Sequence, residues 1–213
     1  MSTRKRIAQV VTATCGILLL GAVARAGDGT STKTDTNVAP AFKTELFKGE
    51  FVGVTQVLRL MVSSGTNQFL IVVPLGLELD QTSNNRIVIV PPDRSYHLIF
   101  RMTGAPDGDP SKHDSFRERL AQEYAGAKIT DESFSKTAGH IGPSFDLFWR
   151  AYGGTEQFVR VAFIPSVAGI LEFSLVSDSE NLGDAQRSFR KLLRGFQSNE
   201  KGKIKVVPKI GRS

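Results

Sequence analysis

The apolar positions in the first half of the chain follow the period of β-strands. FLIVV, which begins at Phe69, and RIVIV, which begins at Arg86, are short β-branched runs that stop at prolines, and LGLELDQTSNNR between them fits a further short strand and a turn. SYHLIFRMT, residues 95–103, alternates apolar and polar side chains, as a strand with one buried face does. These segments predict successive strands, whereas residues 42–66 fit either a strand or a short helix.

Two later segments follow the helical period. The first opens with Asp109 or Ser111 as a cap and stops at Gly126, and the second starts near Ser179 or Asn181. The apolar stripe of the first helix consists of Phe116, Leu120 and Tyr124. The apolar side of the second consists of Leu182, Ala185, Phe189, Leu192, Leu193 and Phe196. Each helix is therefore expected to bury one face.

Between the two helices the strand period returns. SFDLFWR, QFVRVAFIP and GILEFSLVSD predict three strands with turns at residues 152–157 and 165–169, and AKITDESFS before them is a short segment to which no element is assigned. Gly139 and Gly142-Pro143 are interpreted as the bend that leads into the first strand, and Trp149 is expected in the core. Strands in runs with few helices predict a single α+β domain, in which helices cover a mostly antiparallel β-sheet.

The two ends of the chain differ from its middle. Residues 1–26 combine a basic start, an apolar run and the small-residue segment ARA, which predicts a signal peptide and an exported, periplasmic or extracellular protein. An uncleaved N-terminal anchor is the alternative. Residues 27–41 predict a flexible linker, residues 42–197 the folded domain, and residues 198–213 a basic C-terminal tail.

Charge and cysteine content narrow the function classes. The net charge is +6, but the first 26 residues hold four basic residues and no acidic one. The remainder carries 23 basic and 21 acidic residues, so a nucleic-acid partner is not predicted. The one cysteine, Cys15, lies in the predicted signal peptide. After cleavage we expect no disulfide, no thiolate ligand and no integral membrane span.

The polar residues show no catalytic or metal-binding pattern. The histidines, His97, His113 and His140, lack metal-ligand spacing, and each is interpreted as a surface or loop residue. On a strand, His140 and Ser144 would share a face about 13 Å apart at ~3.3 Å per residue, too far for direct proton transfer. The sequence therefore predicts no metal, no cofactor and no enzymatic activity.

The last predicted helix carries a basic stripe opposite its apolar side. The stripe consists of Arg187, Arg190, Lys191 and Arg194, at i, i+3, i+4 and i+7. One interpretation is a surface for an anionic partner, either an envelope protein or an anionic envelope component. The other, which the sequence alone favours, is a solvated helix face whose cations are stabilised by the helix dipole.

Three stretches of the chain resemble the PsbP-like family. FLIVVPLG is similar to the family's opening strand, although Leu77 stands where many relatives carry an aromatic residue. TAGHIGPSFDLFW is similar to its Ala-Gly and long central strand, and GILEFSLVSDSENLGDAQRSFRKLLRGF to its last strand and helix. The similarity covers roughly residues 66–197. The resemblance implies a PsbP-like α-β-α sandwich and a non-catalytic accessory or binding role, and it carries over no functional residue.

Three hypotheses about function follow. The first is an exported non-enzymatic accessory or protein-interaction module of the cell envelope. The second is a small-ligand or lipid-binding domain with a cavity between sheet and helices. The third, ranked last, is a hydrolase built around His140 and Ser144.

Overall fold

A computed structural model of the chain describes residues 43–52, 55–82, 85–103, 113–150 and 154–199. The predicted signal peptide (1–26), the linker (27–41) and the basic tail from residue 200 onward lie outside these residues. The described strands are β1 (Lys43–Val52), β2 (Thr55–Ser64), β3 (Asn67–Val72), β4 (Glu78–Thr82), β5 (Arg86–Val90), β6 (Tyr96–Thr103), β7 (Lys128–Thr137), β8 (His140–Arg150), β9 (Glu156–Ser166), β10 (Gly169–Ser177) and β11 (Gln197–Asn199). The described helices are α1 (His113–Glu123) and α2 (Leu182–Gly195).

The described strands form two antiparallel sheets. The larger sheet has the order β4-β5-β6-β10-β9-β8-β7, and the smaller has the order β1-β2-β3-β11. This confirms a mostly antiparallel α+β fold, in which β8, β9 and β10 form the predicted meander. The segment that the sequence left open forms the two strands β1 and β2.

The segment AKITDESFS, for which the sequence predicted no element, lies almost entirely in β7, a ten-residue strand at the edge of the larger sheet. Most side chains of β7 are exposed, including those that face the same side as buried residues of β8. An edge strand with so little burial has no alternating apolar residues, so its sequence looks like a loop.

The bend before β8 is shorter than expected. The chain turns at Ala138 and Gly139, whose φ angles are +48° and +86°, whereas Gly142 and Pro143 lie inside β8. The expectation that Gly142 and Pro143 form part of the bend is therefore wrong. A Cβ atom at Gly142 would lie 1.8 Å from the carbonyl oxygen of Phe163 on β9. Glycine is needed at this position because β8 and β9 approach each other closely, and not because the chain turns.

Helix α1 covers one face of the larger sheet with its predicted stripe. Phe116, Leu120 and Tyr124 are all buried there. The ring of Phe116 stacks on Phe163 of β9, with 4.6 Å between the ring centroids. Trp149 is only half-buried and lies at the rim of this cluster, with its ring centroid 5.5 Å from that of Tyr124.

Helix α2 and the smaller sheet cover the opposite face. Four of the predicted apolar side chains of α2 are buried, Ala185, Phe189, Leu192 and Leu193, whereas Leu182 is half-buried. Phe196, directly after the helix, is also buried. Its ring centroid lies 5.8 Å from that of Phe69 on β3, 5.7 Å from Phe100 on β6 and 5.0 Å from Phe173 on β10. One aromatic ring therefore contacts both sheets at the end of α2.

A buried ion-pair network joins α1 to the larger sheet. Glu172 on β10 is 1% exposed and accepts hydrogen bonds from Arg101 Nε at 2.9 Å and from Arg119 Nη2 on α1 at 2.6 Å. Arg101 also donates to Glu123 at 2.5 Å. Burial alone would lower the pKa of Arg101, but the charges of Glu172 and Glu123 raise it above its usual range. Buried charges are tolerated when each has a partner, as it does here.

We expect Glu172→Gln to lower the free energy of unfolding by about 3–5 kcal/mol, because two partly buried guanidinium groups lose their carboxylate partner. Chemical denaturation measures this loss. Asp80→Asn removes the more exposed ion pair between Asp80 and Arg94, and it should cost no more than about 1 kcal/mol. Equal losses in the two variants would contradict a stabilising role for the network.

A second substitution tests the close approach of β8 to β9. Gly142→Ala should lower the free energy of unfolding by about 2–4 kcal/mol, because the added methyl group overlaps the backbone of Phe163. At Gly183 on α2, an added Cβ would meet only the end of Arg187, at 3.7 Å. Gly183→Ala should therefore raise the stability by about 0.5–1 kcal/mol, since alanine is the better helix former. If Gly142→Ala is as stable as the parent chain, the described packing of β8 on β9 is incorrect.

Candidate functional site

The four cations predicted from the sequence lie on the outward face of α2. Arg187, Arg190, Lys191 and Arg194 are all exposed, because the apolar stripe of the helix turns the opposite side toward the sheet. With 1.5 Å of rise per residue, the stripe extends for about 10 Å along the helix axis. We call these four residues the α2 basic face.

Only one of the four cations has a carboxylate partner in the part of the chain that the structure describes. Arg187 pairs with Asp184 one turn earlier. Arg190, Lys191 and Arg194 form no ion pair with any described residue. The α2 basic face therefore carries three positive charges that the surrounding described structure leaves uncompensated.

The first half of α2 borders an open cleft of about 280 Å³. The turn after β3 and the turn between β5 and β6 form its other walls, and Arg187 and Lys191 belong to its lining. Tyr96 and Ser188, on opposite walls, share a hydrogen bond of 2.8 Å between their hydroxyl oxygens. Leu75, 50% exposed, is the large apolar side chain of the lining that is open to solvent.

The cleft also contains a carboxylate with local hydrogen bonds. Asp93 accepts hydrogen bonds from the backbone nitrogen of Ser95 at 3.1 Å and from its hydroxyl at 2.8 Å, and these bonds lower the pKa of Asp93. Sequence analysis missed this cleft because three separate segments assemble it. A weak signal exists in the chain, since Pro74-Leu75-Gly76 and Pro91-Pro92-Asp93 are both turn sequences directly after predicted strands.

The histidines do not come together with a nucleophile in the described structure. His97 is half-buried on β6, and its burial lowers its pKa, although Asp80 acts in the opposite direction. His113 is the first residue of α1, and the placement of its side chain lies outside the described structure. His140 begins β8, and Ser144 is four residues along the same continuous strand. A separation of about 13 Å between His140 and Ser144 is too long for direct proton transfer between them.

Ser144 and the nearby acidic residue also have structural environments. The hydroxyl of Ser144 is buried and has no hydrogen-bond partner among the described residues, and its neighbour on β9 is Ala162. Asp146, on the same side of β8, accepts a hydrogen bond from Arg160 Nε at 2.5 Å and a second from the same guanidinium group. The carboxylate is therefore engaged by a guanidinium rather than directed at Ser144 or His140.

Two further features are absent from the described residues. Among them, no three His, Cys, Asp or Glu side chains lie together in an arrangement that could hold a metal ion. Neither described helix has the length and apolarity that crossing a membrane requires.

Comparison with known proteins finds similar solved structures at low sequence identity. No protein-family model and no curated protein sequence matches the chain. The chain is similar to the solution structure of PsbP from Synechocystis, with a TM-score of 0.48 and 12% identity over 70% of this chain and 96% of that one. It is also similar to the Ran-binding protein Mog1p of Saccharomyces cerevisiae, with a TM-score of 0.46 and 11% identity over 75% and 96% of the two chains.

A third similar structure is LpqN of Mycobacterium tuberculosis, described as involved in cell envelope biogenesis. Its TM-score is 0.46, with 14% identity over 74% of this chain and 91% of that one. PsbP, Mog1p and LpqN all have PsbP-like folds. The role of this chain has to be argued from its own residues.

Proposed function

We propose that the chain is an exported, non-enzymatic accessory module of the cell envelope that docks onto an acidic protein through the α2 basic face. The observation that carries this proposal is the set of three exposed cations, Arg190, Lys191 and Arg194, that lack an ion-pair partner in the described structure. The proposed architecture behind this surface is the α-β-α sandwich of the PsbP-like family, with α1 and α2 on opposite faces of the larger sheet.

The α2 basic face is electrostatically unfavourable for the isolated helix. Arg187 and Lys191, and likewise Arg190 and Arg194, are like-charged pairs at i, i+4, and each such pair costs about 0.2–0.5 kcal/mol. The helix dipole favours a cation only in the last turn, where Arg194 lies. The interpretation of this surface as a solvated face stabilised by the helix dipole therefore accounts for Arg194 better than for the other three cations. A partner that supplies carboxylates would relieve the repulsion along the whole face.

The length of the α2 basic face favours an extended partner over a small anion. Its charges are spread over about 10 Å of helix, which exceeds the reach of a single phosphate or carboxylate group. A row of acidic side chains on another protein can meet several of these cations at once. The export and the envelope location rest on residues 1–26, which lie outside the described structure, and they remain part of the proposal.

The non-enzymatic part of the proposal rests on the environments of the reactive side chains. The carboxylates of Glu172 and Asp146 are held by guanidinium groups, and no described base forms a hydrogen bond with Ser144. We propose no bound cofactor.

The docking proposal is tested with a triple charge reversal on α2, Arg190→Glu with Lys191→Glu and Arg194→Glu. The probe is immobilised polyglutamate, and binding is measured by surface plasmon resonance at increasing salt. We expect salt-sensitive binding of the parent chain and its loss in the triple variant, because the reversed helix face repels carboxylates.

The matched control makes the same change of net charge at other exposed positions, with Lys43→Glu, Lys128→Glu and Arg150→Glu. This control should retain most of the binding. Equal loss in both triple variants would mean that net charge, and not the α2 basic face, is responsible. Stronger binding to phosphatidylglycerol vesicles than to polyglutamate would replace the acidic protein by a lipid surface.

The cleft beside α2 supports a second candidate function, the binding of a small polar ligand. It is favoured by the volume of about 280 Å³ and by the hydroxyl, carboxylate and cationic groups of its lining. Leu75→Trp narrows the mouth of this cleft. Leu46→Trp changes a leucine of similar exposure, 48% against 50%, outside the lining.

In a thermal-shift screen of polar metabolites, we expect any compound that raises the Tm of the parent chain to lose its effect in Leu75→Trp. The same compound should keep its effect in Leu46→Trp. If no compound raises the Tm, or if Leu75→Trp responds like the parent chain, the cleft is not a ligand site.

A further inference from the structure

Strand β7 forms an edge of the larger sheet in the described part of the chain. It spans ten residues, Lys128–Thr137, and its described partner is β8. On its other side the described residues provide no neighbouring strand. β4, at the opposite edge, spans five residues and contains a register irregularity. The unpaired backbone groups of an edge strand can pair with a strand from another chain, and β7 offers the longer stretch.

We propose that β7 pairs antiparallel with β7 of a second copy of this chain, with Phe134 of each copy at the two-fold axis. The two larger sheets would then continue into each other across the axis. The surface lies apart from the α2 basic face in the sequence, and this inference does not depend on the proposed function.

Charge complementarity within β7 selects this register. When Phe134 lies opposite Phe134 of the second copy, Glu132 lies opposite Lys136 of that copy, and Lys136 lies opposite its Glu132. Two cross-strand ion pairs, each between Glu132 of one copy and Lys136 of the other, therefore form in the centre of the contact. Ser133 lies opposite Ser135 of the second copy, so small hydroxyl side chains meet on the other face.

Symmetry, charge and strand regularity disfavour the registers centred on Glu132, Lys136 and Thr130, and a register centred on Ser133 or Ser135 forms no Glu132–Lys136 pair. A two-fold axis perpendicular to the sheet places the same face of both copies on the same side, so opposed residues must differ by an even number of positions. A pairing centred on Glu132 would oppose two glutamates, and one centred on Lys136 would oppose two lysines. Centring on Thr130 would oppose Glu132 with Lys128, but it would include the irregularity that β7 shows between Ile129 and Asp131.

The same contact would cover exposed apolar surface. Glu132, Phe134 and Lys136 lie on the face that α1 covers, since Glu132 is opposite Phe145 and pairs with Arg117 of α1. Phe134 is 66% exposed, and Ile141, opposite Lys136 on β8, is 59% exposed. Pairing would bring the two Phe134 rings together and reduce this exposure.

The regular part of β7 contains the proposed contact. The register irregularity ends at Asp131, and from there to Thr137 the pairing with β8 is continuous. Thr137 is buried and donates a hydrogen bond to the carbonyl oxygen of Leu193 on α2, so the proposed contact extends from Glu132 to Lys136. A contact of this size belongs to the small, transient class, so we expect weak, concentration-dependent dimerisation.

The first experiment is a charge swap followed by sedimentation equilibrium of the full chain. The parent chain should reach twice its mass of 23.2 kDa as its concentration rises. Glu132→Lys and Lys136→Glu should each weaken dimerisation about tenfold, because each replaces two attractive pairs by two repulsive ones. The double variant, Glu132→Lys with Lys136→Glu, should restore it. The Glu132→Lys single variant and the double variant both lose the ion pair with Arg117. A return of dimerisation in the double variant therefore reports the contact between the two copies, and not this internal pair.

The second experiment tests the register with introduced thiols. Cys15→Ser removes the natural cysteine, and Phe134→Cys then places one thiol at the axis. Mild oxidation should link two copies through this position, because directly opposed residues have Cα atoms within disulfide range. Lys128→Cys is the control, since the proposed register separates the two introduced thiols by about 40 Å at ~3.3 Å per residue.

The proposal is overturned if the parent chain stays monomeric up to millimolar concentration. It is equally overturned if the double charge variant dimerises no better than the single variants, or if Lys128→Cys forms the disulfide as readily as Phe134→Cys.

Discussion

On the central strands β6 and β10, neighbouring residues face opposite sides of the sheet. One side is the apolar core under α2 and the other carries the ion pairs to α1, so the packing of both helices depends on this alternation. Phe173 lies opposite Phe100 and faces the apolar core under α2. One residue earlier, Glu172 lies opposite Arg101 and faces α1. A register slip of one residue would place the charges in the aromatic cluster and the rings beside Arg119, so the pairing of these strands is strongly specified.

This constraint determines the orientation of α2 and therefore of its charges. The helix is held through Phe189 and its other buried residues, and Phe196 fixes its end against both sheets. A helix fixed in this way cannot rotate its cations toward internal carboxylates, and the described surroundings provide a partner for Arg187 alone. The exposed charge is thus a consequence of the packing, and we infer that its compensation comes from another molecule.

The sequence predicted those elements whose burial is periodic. The stripe of Phe116, Leu120 and Tyr124 and the apolar side of α2 were read directly from their spacing, because each helix packs one face on the sheet. β7 could not be recognised, because an exposed edge strand is under no pressure to alternate. Gly142 was misread as part of a bend, because the closeness of β8 and β9 depends on a residue twenty-one positions away, Phe163.

The α2 basic face and the cleft also differ in how far the sequence predicts them. The α2 basic face could be predicted because a single helix carries it. The cleft could not, because Leu75, Asp93 and Ser188 come from three segments that only the tertiary fold brings together. The ion-pair network around Glu172 has one signal in the sequence, a single acidic residue within the apolar run GILEFSLV. Such a residue in a central strand needs a buried partner, although its sequence does not say which one.

The most direct test of the docking surface is an NMR titration of the full chain with polyglutamate, in which the backbone amide shifts are followed residue by residue. The account predicts that the largest shifts fall on residues 187–194 of α2 and fade as salt is added, because the contact is electrostatic and confined to one helix face. Shifts centred on another element, or shifts on α2 that persist in high salt, would contradict it.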